Sequence, residues 1–220
     1  SSPESKLYMI VDNDVVRTFN VRLAVNKVDY FVPVDLSGYA DKHISFNFQL
    51  APESALCWKE MKLSDQFDSS NREKFRPAYH FSPAWGWMND PNGLCEFQGV
   101  NHIYFQYTPF LAGWGTKLWG HYTTKDWIHY KEEEPFLYPD EEWDRDGVYS
   151  GSAYTCEDGI HYFYTGNVKL WDKDYDYIMN GREQNTIHVF SPDGKNIAYK
   201  KLVMTNDDYP VNMSKHVRDP

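Results

Sequence analysis

The chain has 220 residues, enough for one large domain or two small ones with a substantial buried core. Its formal net charge of −10 and its pI near 5.2 argue against a nucleic-acid partner and against binding to an anionic membrane surface. No apolar run approaches the roughly 20 residues that a membrane-spanning helix needs, so we expect no membrane-spanning segment.

The cysteine and histidine content predicts neither a disulfide framework nor a bound metal. The three cysteines, Cys57, Cys95 and Cys156, have no metal-ligand spacing, and the 8 histidines form no HExxH-type cluster. The aromatic share of 17% fits either a β-rich core or a set of sugar-stacking platforms. Because the chain begins with Ser1, we expect that an upstream segment, either a signal peptide or an expression tag, was removed.

The sequence of residues 1–72 predicts a small β-rich domain. β-branched and aromatic residues dominate the runs 15–25 and 30–34, and apolar and polar residues alternate over 44–50, as in half-buried strands. Turn signals separate these runs. The polar stretch 64–74 then predicts a linker to a second domain that covers residues 73–220.

The segment Trp87-Met-Asn-Asp-Pro-Asn-Gly93 places one carboxylate, that of Asp90, between two asparagines and before a proline. Asn, Asp, Pro and Gly together predict a turn. Tryptophans 85 and 87 stand at the entrance of this turn, and an aromatic wall beside a fixed carboxylate suits a site that cleaves sugars. The structural alternative is an aspartate that only stabilises its own turn.

An internal repeat of roughly 60 residues follows, and each copy holds about four short strands, as does a β-propeller blade. Each copy runs from a glycine through a tight turn to a histidine and an aromatic strand that ends in Tyr-Thr. Chance similarity among aromatic strands is the alternative. The matching pairs are 93–108 with 151–165, 121–130 with 188–199, and Asp90-Pro91 with Asp219-Pro220.

The repeat predicts that two acids share one site. Innermost propeller strands surround a central channel, so carboxylates at equivalent positions, here Asp90 and Asp219, face the same funnel. Glycoside hydrolysis needs two carboxyl groups beside the scissile bond. Arg218 favours an ionised Asp219, which would stabilise positive charge in the transition state and hold sugar hydroxyls. An exposed ion pair is the alternative reading of Arg218 and Asp219.

These motifs together resemble glycoside hydrolase family 32, the β-fructosidases, over about residues 77–220. The segment 87–93 resembles the nucleophile motif of that family, and the other motifs follow in the family's order. They are Phe105-Gln-Tyr-Thr-Pro109, Trp114-Gly115, Trp119-Gly-His121, Thr124-Lys-Asp-Trp127, Tyr149-Ser-Gly-Ser152 and Arg218-Asp-Pro220. Thr108 and Tyr149 depart from the usual asparagine and phenylalanine.

The resemblance implies an all-β fold, a partial five-bladed β-propeller with about two blades and the start of a third, behind an accessory N-terminal domain. Asp90 would be the nucleophile and Asp219 the transition-state stabiliser. Trp119 would line the funnel wall or pack in the core. No cofactor is implied. The residues implied to bind substrate are Trp87, Asn89, Gln106, Trp114, Tyr149, Ser150 and Arg218.

One element of the family pattern does not occur in the 220 residues. The family's acid/base glutamate belongs to a Glu-Cys motif after the Arg-Asp-Pro motif, and further blades and a β-sandwich normally follow. Glu157 comes after Cys156, in the reverse order and at the wrong place, so it is assigned no role. We therefore expect the 220-residue chain alone to be inactive.

The resemblance implies release of fructose from sucrose or from fructans such as levan and inulin, through a covalent fructosyl-aspartate. A fructosyltransferase of the same family and a non-catalytic carbohydrate-binding fragment are the open alternatives. A structural β-scaffold with aromatic packing is a further one. Polymeric substrates and a trimmed N-terminus favour a secreted, periplasmic or cell-surface location.

Overall fold

The computed structural model describes residues 1–68, 70, 76–77, 79–171, 173–174, 181–210 and 217–220. The chain divides into two compact units, Ser1–Trp87 with Thr108–Thr116, and Met88–Tyr107 with Lys117–Pro220. Residues 69 and 71–74 of the predicted linker 64–74 lie outside the described residues. Within the described part of the chain, each helix is too short and too polar to cross a membrane.

The first unit contains a three-stranded antiparallel sheet. Its strands are β1 (Ser5–Val11), β2 (Asp14–Val21) and β3 (Ile44–Asn47), in the order β2-β1-β3. Alternate side chains of the two long strands, among them Met9 and Phe19, are buried and form the core of this unit. A 3₁₀ turn (Ser37–Tyr39) and a one-turn helix, α1 (Leu56–Glu60), complete it.

The predicted strands of the first unit are right in part. Strand β2 lies within 15–25 apart from its first residue, and β3 covers the first half of 44–50. The prediction for 30–34 was wrong, because these residues form no strand. Pro33 has no N–H to donate, Phe31 is exposed, and Tyr30 stacks on the Trp85 ring at 6.0 Å. Strand β1 was not predicted, although Leu7 to Val11 form a continuous apolar and aromatic run typical of a strand.

The second unit is built from two four-stranded antiparallel sheets in which each strand pairs with its neighbours along the chain. This architecture confirms the all-β, partial-propeller prediction. The first sheet has the order β4-β5-β6-β7 and the second β11-β10-β9-β8. The strands are β4 (Trp87–Phe97), β5 (Val100–Thr108), β6 (Leu118–Thr124), β7 (Tyr130–Leu137), β8 (Val148–Thr155), β9 (Ile160–Lys169), β10 (Arg182–Ser191) and β11 (Tyr199–Met204).

The two sheets repeat each other down to a pair of histidines. Tyr104 faces His121 across β5 and β6, and the corresponding Phe163 faces His188 across β9 and β10. His121 hydrogen-bonds the ring of His102, which lies two residues before Tyr104 on β5. In the same way, His188 hydrogen-bonds the ring of His161, two residues before Phe163 on β9. The ring nitrogens are 3.0 Å apart for His102 and His121 and 2.9 Å apart for the second pair.

Aromatic side chains join the two sheets into one core. Tyr104 from β5 and Tyr162 from β9 are fully buried, and their hydroxyl oxygens lie 2.6 Å apart. Trp119 and Tyr164 pack against them, with ring centroids 6.0 Å apart. Because buried hydroxyls need partners, this tyrosine pair fixes how β5 meets β9 as well as adding buried area. The rigid core holds the ends of β4 and β8 in place.

Candidate active site

The Asp90 carboxylate is exposed near the start of β4 and is held by a residue of the second sheet. The Ser150 hydroxyl donates to Asp90 Oδ2 at 3.3 Å, and the Asn92 amide donates to the Asp90 carbonyl at 3.1 Å. The turn predicted for 87–93 was wrong, because these residues belong to strand β4. Within this strand Gly93 has φ +56°, and a Cβ at this position would lie 2.7 Å from the Trp119 ring. The path of the chain after Asp90 therefore requires glycine.

Asp219 is anchored to the same hairpin of the second sheet. Its backbone N–H donates to Thr165 Oγ1 at 2.9 Å, and Arg218 Nε lies 3.4 Å from Asp219 Oδ2. The side chain is half exposed, and the residue adopts a left-handed φ of 61°. Non-glycine residues rarely adopt this conformation, and strain of this kind is concentrated at functional sites.

Ser150 and Thr165 are neighbours across β8 and β9. The pairs Val148 with Gly166 and Gly151 with Tyr164 bracket them, and the register shifts between these pairs. The bond that Asp90 accepts from Ser150 and the bond that the Asp219 N–H donates to Thr165 thus involve adjacent positions of one hairpin. Both carboxylates are accessible from solvent.

Two side chains of the first sheet fix the backbone that leads to Ser150. Gln106 Nε2 donates to the Val148 carbonyl at 3.0 Å, and Trp119 Nε1 donates to the Tyr149 carbonyl at 2.9 Å. Gln106 is only 3% exposed. Trp119 is fully buried, which favours core packing over a position in the funnel wall. Both side chains hold β8 in place.

The remaining predicted residues fall into two groups. Asn89 and Tyr149 are partly buried in the second unit. Trp87 and Trp114 form a pair of their own within the first unit, with ring centroids 5.4 Å apart, and 60% of Trp114 is exposed. Gly86 has φ +76°, and a Cβ there would clash with the Thr108 carbonyl oxygen, so the approach of these two backbones requires glycine. An exposed indole face is the surface on which sugars stack.

Two further polar residues belong to this region and were not predicted. Thr165 is buried and accepts the Asp219 N–H. Lys117 is 3% exposed. Burial and the ammonium of Lys169 lower the pKa of Lys117 to about 8, while the Asp90 carboxylate opposes that shift. In the sequence, Lys117 could have been noticed as a single lysine directly before the apolar strand β6. The Tyr-Thr ending of the repeat was the signal for Thr165.

Fold and site together define the class: a partial β-propeller with two accessible aspartates bound to one hairpin of its second sheet. Residues 80–220 match the model of the glycosyl hydrolases family 32 N-terminal domain, and the chain belongs to this family. Residues 1–79 match a domain of unknown function, DUF4980.

The chain is similar to several characterised members. It is 40% identical to sucrose-6-phosphate hydrolase of Bacillus subtilis (strain 168) over 69% of this chain and 29% of that protein. It is 39% identical to raffinose invertase of Escherichia coli over 66% of this chain and 29% of that protein. The solved structure of a GH32 β-fructofuranosidase from Bombyx mori has a TM-score of 0.54 and 32% identity, and the match covers 66% of this chain and 29% of that one. The chain spans less than a third of these relatives.

Proposed function

We propose that the protein containing this chain is a retaining glycoside hydrolase that releases fructose from sucrose or fructans. The observation that carries the proposal is the attachment of Asp90 and Asp219 to adjacent residues of one hairpin. In a retaining glycosidase one carboxylate attacks the anomeric carbon, the role proposed for Asp90, and positive charge develops in the transition state, which a second carboxylate such as Asp219 would stabilise. The family relatives named above, a sucrose-6-phosphate hydrolase, a raffinose invertase and a β-fructofuranosidase, support fructosides as substrates.

In the proposed reaction, Asp90 attacks the anomeric carbon of the fructosyl unit. The bond to the leaving oxygen breaks as that oxygen takes a proton, and a fructosyl ester forms on Asp90. Water then attacks the same carbon and restores the carboxylate, with net retention. Ser150, which donates to Asp90 Oδ2, orients the carboxylate for this attack.

Asp219 acts by electrostatics and hydrogen bonding. Its carboxylate, beside the Arg218 guanidinium, accepts hydrogen bonds from sugar hydroxyls and stabilises the oxocarbenium-like transition state. The resemblance to the family assigns Trp114 to substrate binding, and its indole is 60% exposed. The family pattern supplies the proton donor from a Glu-Cys motif that follows the Arg218-Asp219-Pro220 motif.

Fructose release from sucrose, inulin and levan by the intact protein tests the proposal. We expect Asp90→Asn to lower kcat by several orders of magnitude, because the amide is a poor nucleophile, and Asp219→Asn to lower kcat strongly as well. Glu157→Gln is the matched control, since Glu157 is an exposed acid in the turn after β8 and is expected to leave the rate unchanged. Full activity of Asp90→Asn would refute the nucleophile assignment.

Two alternatives are separated by the same experiment. A fructosyltransferase yields longer oligosaccharides in place of free fructose, which product analysis detects. A carbohydrate-binding fragment binds fructan without turnover, and we propose this behaviour for the 220-residue chain by itself. Because polymeric fructans do not cross membranes unaided, we propose that an intact protein acting on fructans lies outside the cytoplasm, which cell fractionation tests.

A further inference from the structure

The turn between β8 and β9 brings three metal-binding atoms together. The thiol of Cys156, the carboxylate of Asp158 and the ring of His161 each offer one ligand atom, and these atoms all lie within 4.8 Å of one another. The cysteine is a free thiol, and its N–H bonds the Gly159 carbonyl at 2.8 Å, which closes the turn. His161 Nε2 lies 3.9 Å from Asp158 Oδ1, so the ring edge faces the carboxylate.

His161 is held from behind by a second histidine. Its Nδ1 lies 2.9 Å from His188 Nε2, and the two rings stack at 5.1 Å. With the shared proton on Nδ1 of His161, Nε2 of His161 presents its lone pair to Asp158. Metal-binding histidines are oriented in this way by a partner on the other ring nitrogen.

The first sheet lacks this constellation although it has the same histidine pair. His102 and His121 occupy the positions of His161 and His188. Five and three residues before His102, where the second sheet has a cysteine and an aspartate, the chain has Phe97 and Gly99. The histidine pair therefore recurs in both described four-stranded sheets, while the thiol and carboxylate are present in the second of these two sheets and not in the first.

We propose that Cys156, Asp158 and His161 form a Zn²⁺ site whose fourth position is taken by water. Zinc bonds of about 2.0 to 2.3 Å to nitrogen, oxygen and sulfur require ligand atoms roughly 3.3 to 3.8 Å apart. Rotation of the exposed Asp158 side chain and of the partly exposed Cys156 side chain supplies this contraction. On binding, the thiol proton passes to solvent, and the thiolate and carboxylate neutralise the metal charge.

The zinc site is separate from the aspartate site. Ser150 and Thr155 are five positions apart on β8, which at about 3.3 Å per residue corresponds to about 16 Å. Zinc bound at the turn would therefore link the end of β8 to the start of β9, at the end of the hairpin that is distant from Ser150 and Thr165. Its expected effect is on the stability of the hairpin that carries Ser150 and Thr165.

Calorimetric titration of the reduced 220-residue chain with ZnCl₂ tests the site. We expect one Zn²⁺ per chain, an affinity at least about 100-fold weaker in Cys156→Ser and in His161→Ala, and about 10 to 100-fold weaker in His188→Ala. Glu157→Gln and Cys57→Ser are matched controls, a carboxylate of the same turn and a thiol elsewhere, and we expect both to bind zinc as the unmodified chain does.

Two further readouts make the result unambiguous. Co²⁺ bound to the unmodified chain gives a thiolate-to-metal charge-transfer band that Cys156→Ser lacks, and zinc raises the Tm of the unmodified chain but not of this variant. Serine is close in size to cysteine and lies in a turn, so we expect the far-UV circular dichroism of the variant to match. Zinc affinity of the unmodified chain equal to that of a Cys156→Ser, His161→Ala double variant would overturn the proposal.

Discussion

Lys117 is a buried lysine beside Asp90, at a position where an apolar side chain would be more favourable for folding. A lysine that is 3% exposed bears a desolvation cost, which appears as the lowering of its pKa to about 8. An apolar side chain of similar length would avoid that cost. The compensating feature is the Asp90 carboxylate, whose field favours the ammonium. We infer that the lysine is retained for its charge beside that carboxylate.

Lys117→Met is therefore expected to stabilise the chain at pH 7, by on the order of 1 to 3 kcal/mol. In the folded state the pKa of Lys117 is lowered from 10.5 to about 8, so the unfolded state binds more protons between these values. The unmodified chain gains stability as pH rises through this window, and the advantage of the variant shrinks.

Urea unfolding of both proteins at pH 7 and pH 10 measures this difference. Lys125→Met replaces an exposed lysine one strand-length away and is expected to change the free energy of unfolding by less than about 0.5 kcal/mol at either pH. A stability difference for Lys117→Met that is the same at both pH values would contradict the argument.

The element that organises the site is the β8–β9 hairpin. It binds Asp90 through Ser150 and Asp219 through Thr165. Its register shifts where these two residues meet, as often happens where a strand aims side chains at a site. The outer strand β11 is fastened to the loop before this hairpin by Lys200, whose ammonium donates to Asp140, Asp144 and the Tyr138 carbonyl.

Removing the Lys200 ammonium, which donates to Asp140, Asp144 and the Tyr138 carbonyl, is expected to lower the free energy of unfolding. Burial disfavours the ammonium, but the carboxylates of Asp144 and Asp140 outweigh burial and raise the pKa of Lys200. Lys200→Met leaves Asp144, a fully buried carboxylate, without its cation, which typically costs about 3 to 5 kcal/mol. Urea unfolding measures the loss, and adding Asp144→Asn is expected to recover part of it.

Lys201→Met is the matched control for this prediction. Lys201 is the next residue of β11 and is exposed, so the same substitution removes a charge without stranding a buried partner. We expect its free energy of unfolding to stay within about 0.5 kcal/mol of the unmodified chain. Equal losses for Lys200→Met and Lys201→Met would show that the buried cluster adds nothing to stability.

At the scale of the whole molecule, the sequence best predicts structural features that recur along the chain or that are formed by residues close together in sequence. Both four-stranded sheets were predictable because each copy carries its own glycine, turn and histidine. The motif around Asp90 was recognisable from its residues, but the turn predicted from its Asn, Asp, Pro and Gly was wrong, because residues 87–97 form strand β4. The Lys200 cluster was not, since its partners Asp140 and Asp144 lie 60 and 56 residues away in the chain.

Burial was the other property that local patterns did not predict. Gln106 and Trp119 stand in motif positions, yet whether such a side chain faces a ligand or the core depends on which strand packs against it. The structure shows that both donate to backbone carbonyls of β8. In the first unit, the aromatic run 30–34 reads as a strand, but the ring of Tyr30 stacks on Trp85, a contact between residues far apart in sequence.

The central claim, that Asp90 is the nucleophile of a fructosyl transfer, is tested most directly by locating the covalent intermediate. The intact protein is mixed with sucrose, quenched in acid, digested and analysed by peptide mass spectrometry, with Asp90→Asn treated in parallel. We predict the mass of one anhydrofructosyl group on the peptide that contains Asp90, and its loss in the variant. A fructosyl group attached to any other residue, or an undiminished adduct in Asp90→Asn, would contradict the account.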